Sequence, residues 1–577
     1  MVSDPVGAGR AGPYDCRTAG HRRTHRPQLL KKAVTYQNDA ARIIMIDVLL
    51  WSLALLLMVG TPLGVSTTQG DTGQAGNGAG KSVGIDYVDT TTHHVLEIGH
   101  QHLVYTATAG TLPIPDEPRA PQAKMFYVDY AMQEVDATQR PITFVVNGGP
   151  GAAAVYLHLG ALGPQRLVFN ADGTLPPTPA RLTENPFTWL TFTDLVFIDP
   201  IGTGYSRSMP QDDGKEHPKT FWGIEEDLKA LTAFIQLYLT RHNRWLSPKF
   251  LVGESYGGFR VATLSERLAA EARIAINGVV LISPALEFSL LAEDPYRLLP
   301  WILPLPAYAA VAQFHRKASL PPPTDTDGAT VHETIERFSL TEVLPGLAQG
   351  DTLEAPQAQE LYTRIAHTIG LPSDLVERQR GRIAPRIFAK ALLHDTQRLV
   401  SLYDGTITAT DPNPGRPVHV GQDPYLASLT AAFTAAFHSY ARDVLHFATD
   451  VPYHALNPQV SKAWDWRSGV NAPQGFAGAA NTLKSALTQH PGLQVLIAHG
   501  YYDLVTPYFS SVFAVHQMGL DAITRSHLVL RLYAGGHMFY THAAAHEQFT
   551  RDAQVFFHSA LPSAGKGPAG ALLPQGQ

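Results

Sequence analysis

Three side chains in this sequence could form a hydrolytic relay, although they stand far apart along the chain. Ser255 lies between two glycines in Gly253-Glu254-Ser255-Tyr256-Gly257. Asp503 closes the run His499-Gly500-Tyr501-Tyr502-Asp503, and His537 stands in Ala534-Gly535-Gly536-His537-Met538. A serine hydroxyl is a weak nucleophile until a neighbouring base takes its proton. Histidine is suited to that near neutral pH, and a buried carboxylate fixes the imidazole tautomer and stabilises its cation. Gly-x-Ser-x-Gly alone is weak evidence, because an ordinary glycine-rich turn reads the same way. Its weight comes from an acid and a histidine that follow it in the order Ser, Asp, His.

Each of the three sits where a strand ends. Lys249 to Val252 has strand character, and a helical pattern follows the serine through Leu264, Leu268 and Ala272. A strand-to-helix junction this tight is a nucleophile elbow; its flanking positions must lack side chains, and it presents the serine at a helix N-terminus. Asp503 follows the apolar stretch Gln494 to Ala498, and His537 follows His527 to Tyr533. Upstream, the strand Ile142 to Val146 opens into Asn147-Gly148-Gly149-Pro150-Gly151. Glycines there free backbone N–H groups at the sheet edge. Gly149 and Tyr256, the residue after the serine, are therefore the expected oxyanion donors.

The same reading extends over the whole body. His94 to Thr106 alternates around Gly99 as a hairpin, and Ala123 to Tyr130 is a further strand. Asp194 to Asp199 is a buried strand that enters Pro200-Ile201-Gly202-Thr203-Gly204. Ile224, Leu228, Leu231, Ile235 and Leu239 recur at helical spacing before the elbow strand, and Gly278 to Ser283 follows it. Strand, helix, strand is the order a parallel sheet requires. The expected architecture is α/β: a mostly parallel central sheet flanked by helices, an α/β-hydrolase fold. Its core covers residues 85–283 and 490–560, interrupted by a helical cap insertion over 284–489. Proline-rich patches alternate with helix-like stretches in that insertion, which is too long for a loop.

The termini read differently. Residues 1–42 are polar and basic, and a thirteen-residue run from Val48 to Gly60 follows (VLLWSLALLLMVG). That is short for a bilayer span, which needs about 20 residues, and suits a signal-peptide core. Asp47 and the length of the leader fit less well; Met45 offers a later start, and an uncleaved anchor is the alternative. Residues 1–65 are thus read as leader plus signal or anchor, 66–84 as a flexible Gly/Ser/Thr/Gln linker and 561–577 as a disordered tail. The body is expected to be exported, periplasmic or extracellular, with no stable membrane span after cleavage. The 577 residues are 45% hydrophobic and 16% charged, with a net charge of -6, which offers no basic excess for nucleic acid. The single cysteine, Cys16, excludes an intrachain disulfide, and the histidines form no H-E-x-x-H or comparable set, so no metal or other cofactor is implied.

Taken together, Asn147 to Gly151, Asn185-Pro186-Phe187-Thr188-Trp189 through Asp199 to Ser206, Gly253 to Gly257, the Asp503 loop and Gly536-His537-Met538 resemble the serine carboxypeptidase family, nearest its cysteine-poor bacterial branch. The resemblance spans essentially residues 85–560. It implies release of C-terminal residues from peptides, best at acidic pH, with Asn147 and Glu254 hydrogen-bonding the substrate's terminal carboxylate. Three positions depart from the family pattern: Val145 in place of tryptophan, Ala152 in place of cysteine, and Ala161 in place of a glutamate that pairs with the glutamate beside the nucleophile. The last leaves recognition of a C-terminus less supported than hydrolysis, and Glu254 should then ionise more readily than where the pair is kept. Esterase, acyltransferase or aminopeptidase activity on the same triad is the alternative; a non-catalytic scaffold is a further one, against which the complete triad argues.

Overall fold

Alternating and continuous apolar runs give two kinds of strand in this computed structural model, which describes residues 88–116, 119–210, 215–318, 330–467 and 476–561. The leader, apolar run and linker expected before residue 85, and the tail after Leu561, lie outside the described residues. The alternating stretch forms a hairpin, β1 (Thr90–Ile98) with β2 (Gln101–Asp116), turning at Gly99 with φ 58°. β3 (Arg119–Met132) pairs antiparallel with β2 and with β5 (Asp194–Ile198). The short apolar runs become parallel strands buried along their length: β4 (Ile142–Val146), β5, β6 (Lys249–Glu254) and β7 (Gly278–Ile282). β8 (Gln494–Gly500) and β9 (Leu528–Tyr533) complete the sheet.

The strand order is β1-β2-β3-β5-β4-β6-β7-β8-β9, with Arg207–Ser208 pairing on β3. The elbow strand β6 lies between β4 and β7 in parallel register. Both faces are covered, which is why these strands read as unbroken apolar runs. Phe250 and Val252 enter one core while Leu251 enters the other, as period two demands. Helices α1 (Ile224–Arg241) and α2 (Tyr256–Ala272) bury Leu228, Leu231, Leu264 and Leu268 against the second of these cores. Truncating a fully buried leucine such as Leu251 to alanine costs about 2–5 kcal/mol.

The stretch 284–489 is mostly helical, with a small antiparallel ribbon of Arg398–Val400 on Thr408–Thr410. Part of it forms its own core around Trp301, Tyr308, Ile365 and Phe388, packed on Leu504 and Phe509 beside the Asp503 loop. The rest is built into the body. Helix α3 (Pro424–Asp443) buries Phe433, Phe437 and Tyr440 in the same core as Phe250 and Val252. Helix α4 (Ala480–Gln489) packs Leu483 and Leu487 into the core shared with α2. The returning segment bridges Leu456 to Ala152, His454 to Gly204 and Asp465 to Gly223. Helix α5 (Ala543–Ala560) closes the fold over β6, with Phe557 stacked on Phe250. No helix among the described residues is long and apolar enough to cross a membrane.

Candidate active site

β6 ends at Glu254, α2 begins at Tyr256, and Ser255 between them adopts φ 61° and ψ −123°. A non-glycine residue there carries about 1–3 kcal/mol of backbone strain, which the surroundings must impose. They do so through three backbone hydrogen bonds. Ser255 N–H donates to Ile282 (2.9 Å), while the Ser255 carbonyl accepts from Gly258 (2.9 Å) and Ala285 (3.1 Å). The flanking glycines are sterically required: a Cβ on Gly253 would lie 2.0 Å from the Gly257 carbonyl oxygen, and one on Gly257 would lie 2.6 Å from that of Val146.

Asp503 and His537 come together from the ends of β8 and β9. His537 Nδ1 and Asp503 Oδ2 are 2.8 Å apart, so the imidazole's Nε2 is left for a partner other than the acid. The same carboxylate accepts from the N–H groups of Val505 (2.8 Å) and Thr506 (3.0 Å) and from Thr506 Oγ1 (2.7 Å). Burial pushes the Asp503 carboxyl up, but His537 and these donors outweigh it and hold it below the usual range. Burial pushes His537 down, whereas Asp503 and then Glu254 raise it, and the net direction is upward. The His537 backbone is pinned too: its N–H donates to Tyr403 (2.6 Å) and its carbonyl accepts from Ser283 Oγ (2.9 Å). Ser283 follows β7, the strand on which Ser255 N–H also rests, so the serine and histidine loops share one support. No hydrogen bond joins Ser255 to His537 among the described residues; such bonds often tighten only with substrate bound.

Glu254 is 2% exposed, with both carboxylate oxygens engaged. Asn147 Nδ2 donates to Oε2 and Tyr540 Oη donates to Oε1 at 2.8 Å. Asn147 is oriented by accepting from Leu157 N–H at 3.2 Å. Ala161 is fully buried, and its carbonyl accepts from Asn185 (2.7 Å) and His546 (2.8 Å). Without a second carboxyl from that position, burial still pushes Glu254 up to about 7, opposed by the charge on His537 and by its two hydrogen bonds.

The glycine loop after β4 lies directly against the elbow: a Cβ on Gly148 would be 2.5 Å from Tyr256 N. The N–H groups of Gly149 and Tyr256 have no acceptor among the described residues. Every site residue expected from the sequence thus lies within one cluster: Asn147, Gly149, Glu254, Ser255, Tyr256, Asp503 and His537. Sequence reasoning missed Thr506, Tyr540 and Asp404. Asp404 Oδ2 accepts from Gly536 N–H (2.9 Å) and sits 2.9 Å from His542 Nε2, so the insertion braces the histidine loop. Thr506, three residues after Asp503, was detectable as a side chain able to cap that turn; nothing local marks the other two. A cavity of about 1290 Å³ between α3 and the loop at 174–182 holds none of these residues, so chemistry rather than size identifies the site. Among the described residues no group of three His, Cys, Asp or Glu could hold a metal ion.

Residues 106–289 match the family model described as serine carboxypeptidase. The chain is 28% identical over 168 residues to serine carboxypeptidase-like 8 of Arabidopsis thaliana, covering 28% of this chain and 36% of that protein. It is 31% identical over 161 residues to the pheromone-processing carboxypeptidase KEX1 of Saccharomyces cerevisiae, covering 26% of this chain and 20% of that one. The matches therefore span only about a fifth to two fifths of these relatives' length. The crystal structure of a prohormone-processing carboxypeptidase from Saccharomyces cerevisiae aligns with a TM-score of 0.49 at 16% identity, over 78% of this chain and 91% of that one.

Proposed function

We propose that this chain, similar to the serine carboxypeptidase family over residues 106–289, is an exported serine carboxypeptidase that works through an acyl-enzyme on Ser255. In that reaction Ser255 Oγ attacks the carbonyl of the last peptide bond while His537 Nε2 takes the hydroxyl proton. The N–H groups of Gly149 and Tyr256 receive the oxyanion. The imidazolium then protonates the departing amine, which leaves as the C-terminal residue. Water attacks the acyl-serine by the same route and regenerates the hydroxyl. Asp503 stays ionised and holds the imidazole through Nδ1.

The observation that carries the substrate assignment is Glu254. It is buried, immediately precedes the nucleophile, and is fixed by Asn147 and Tyr540. Pushed up to about 7, it is protonated in mildly acid solution and able to donate to a substrate carboxylate. Above about 7 that proton is lost, so cleavage of free C-termini should fall as the pH rises past neutrality. The test is a blocked dipeptide against its amide and a simple ester, with products identified by mass; release of the C-terminal residue from the acid in preference to the amide is expected. Cleavage of the amide and ester alone would refute the substrate assignment while leaving the hydrolase intact.

A second reading rests on the two donors that face Glu254. They favour its ionised form, and an ionised Glu254 would attract a substrate ammonium, the arrangement an aminopeptidase needs. Release of the N-terminal residue from an unblocked dipeptide amide, run beside those substrates, would select that reading. Export is supported by the apolar run Val48 to Gly60 and the polar linker behind it.

A further inference from the structure

The oxyanion site depends on a loop that glycine makes permissive. Gly148 and Gly149 are adjacent, and Gly149 has φ 97°, so the peptide between them can rotate at little steric cost. An oxyanion donor that points the wrong way for part of the time is lost to the reaction, and this peptide therefore needs an external clamp.

Such a clamp comes from a charge buried below the loop. Arg260 lies on α2, five residues after Ser255, with 0% exposure. Its Nε donates to Asp227 Oδ2 (2.7 Å) and its Nη2 to Asp227 Oδ1 (3.2 Å), a bidentate pair with a buried residue of α1. Its remaining nitrogen, Nη1, donates to the carbonyls of Asn147 (2.5 Å) and Gly148 (3.2 Å). The guanidinium also sits 4.9 Å from the Tyr256 ring centroid and 5.7 Å from that of Trp464, so it touches the residue of the second donor. Ala152 N–H reinforces the Gly148 carbonyl at 3.1 Å.

Peptide geometry turns this contact into an orientation. The Gly148–Gly149 bond is not among the cis peptides, and in a trans peptide the C=O and N–H point in opposite directions. With the Gly148 carbonyl held toward Arg260, the Gly149 N–H must point the opposite way, away from the guanidinium. A buried ion pair is poor value for stability alone, since apolar residues of similar volume often do as well or better. A guanidinium does something they cannot: one rigid fork reaches Asp227 and two carbonyls together.

We propose that Arg260, oriented by Asp227, is a positioning residue that locks the Gly148–Gly149 peptide with its N–H turned into the oxyanion site. The inference rests on the serine-hydrolase reading above but not on the carboxypeptidase assignment. An ester without a terminal carboxylate is therefore the test substrate. The variants are Arg260→Lys, Asp227→Asn and the double variant Arg260→Met/Asp227→Asn, which leaves no unpaired buried charge. Removing a whole oxyanion donor costs about 10²–10³ in kcat, and a misoriented one should cost less, about 10–100-fold. Expected is that loss in kcat with KM within about twofold. The inhibition constant of a peptide aldehyde, whose adduct carries the oxyanion, should weaken in parallel, and that of a non-covalent product analogue should not. A general packing defect would not split these readouts. Should the double variant fail to fold, Arg260→Lys and Asp227→Asn decide alone. Folded variants with kcat within twofold of wild type, or with aldehyde and product binding weakened equally, overturn the proposal. A wild type inert to ester, dipeptide and fluorophosphonate would refute the hydrolase reading and this inference with it; an active wild type with unaffected variants refutes the inference alone.

Discussion

Replacing Glu254 by glutamine should change the shape of the pH profile more than its height. On the proposed mechanism two protonation states must coincide in the wild type: His537 neutral to act as base, and Glu254 protonated to meet a substrate carboxylate. Glu254 is pushed up to about 7, and His537 is raised above its usual value, partly by the charge of Glu254 itself. The two demands therefore overlap near neutrality, and the limbs of the profile belong to the coupled pair. Below its raised value His537 is protonated and the rate falls. Above about 7 the glutamate ionises, so kcat/KM for a free-carboxylate substrate should fall about tenfold per pH unit; at pH 8 only about a tenth of Glu254 keeps its proton. Glu254→Gln cannot ionise, so the alkaline limb should vanish. With the negative charge gone, His537 should also lose one cause of its upward shift, and the acid limb should move to lower pH. An amide substrate carries no terminal charge and should lack the alkaline limb even in the wild type. The assay is kcat/KM from pH 4 to 9 for a blocked dipeptide and its amide, in both proteins. Superimposable acid and amide profiles in the wild type, or an alkaline limb that survives in Glu254→Gln, would refute the reasoning and remove Glu254 from carboxylate recognition.

Three further outcomes are expected. A fluorophosphonate should label Ser255, and Ser255→Ala or His537→Ala should lower kcat by about 10⁶, the scale of triad removal in a well-studied serine hydrolase; labelling of Ser255→Ala equal to wild type would end the nucleophile assignment. Tyr540→Phe removes a hydrogen bond that favours the ionised form of Glu254, so the carboxyl should shift upward and the alkaline limb of dipeptide cleavage should move to higher pH; a limb moved to lower pH would contradict that sign. Intact-mass analysis of the exported protein should find its N-terminus between Gly64 and Lys81, behind the apolar run, and a species that keeps Val48 to Gly60 would favour an anchor instead.

The amino-acid sequence by itself determined what depends on neighbours along the chain. Gly253 and Gly257 announce the elbow because the turn around Ser255 leaves no space for their side chains. The unbroken apolar runs of β4 to β7 announce parallel strands because both faces of the sheet are covered there, whereas β9 is partly exposed and carries Arg531 on its open side. Resemblance then supplied roles for Asn147 and Glu254 that spacing does not contain. The insertion was legible as helical but not as woven into the body: α3 and α4 share cores with the sheet, and an amphipathic stripe does not say which surface it will cover.

The tertiary structure alone decided the partners. Tyr540 reaches Glu254 across 286 residues, and Asp404 reaches Gly536 across 132. Arg260 and Asp227 show how little of this is local. Arg260 occupies the same apolar stripe as Leu264 and Leu268, and Asp227 that of Ile224, Leu228 and Leu231, which marks each as a charge turned inward. Spacing can say that such charges are buried, because helical period fixes the face they share with the leucines. It cannot say that they neutralise one another or that the spare guanidinium nitrogen will find two backbone carbonyls, because those distances exist only after α1, α2 and β4 have packed.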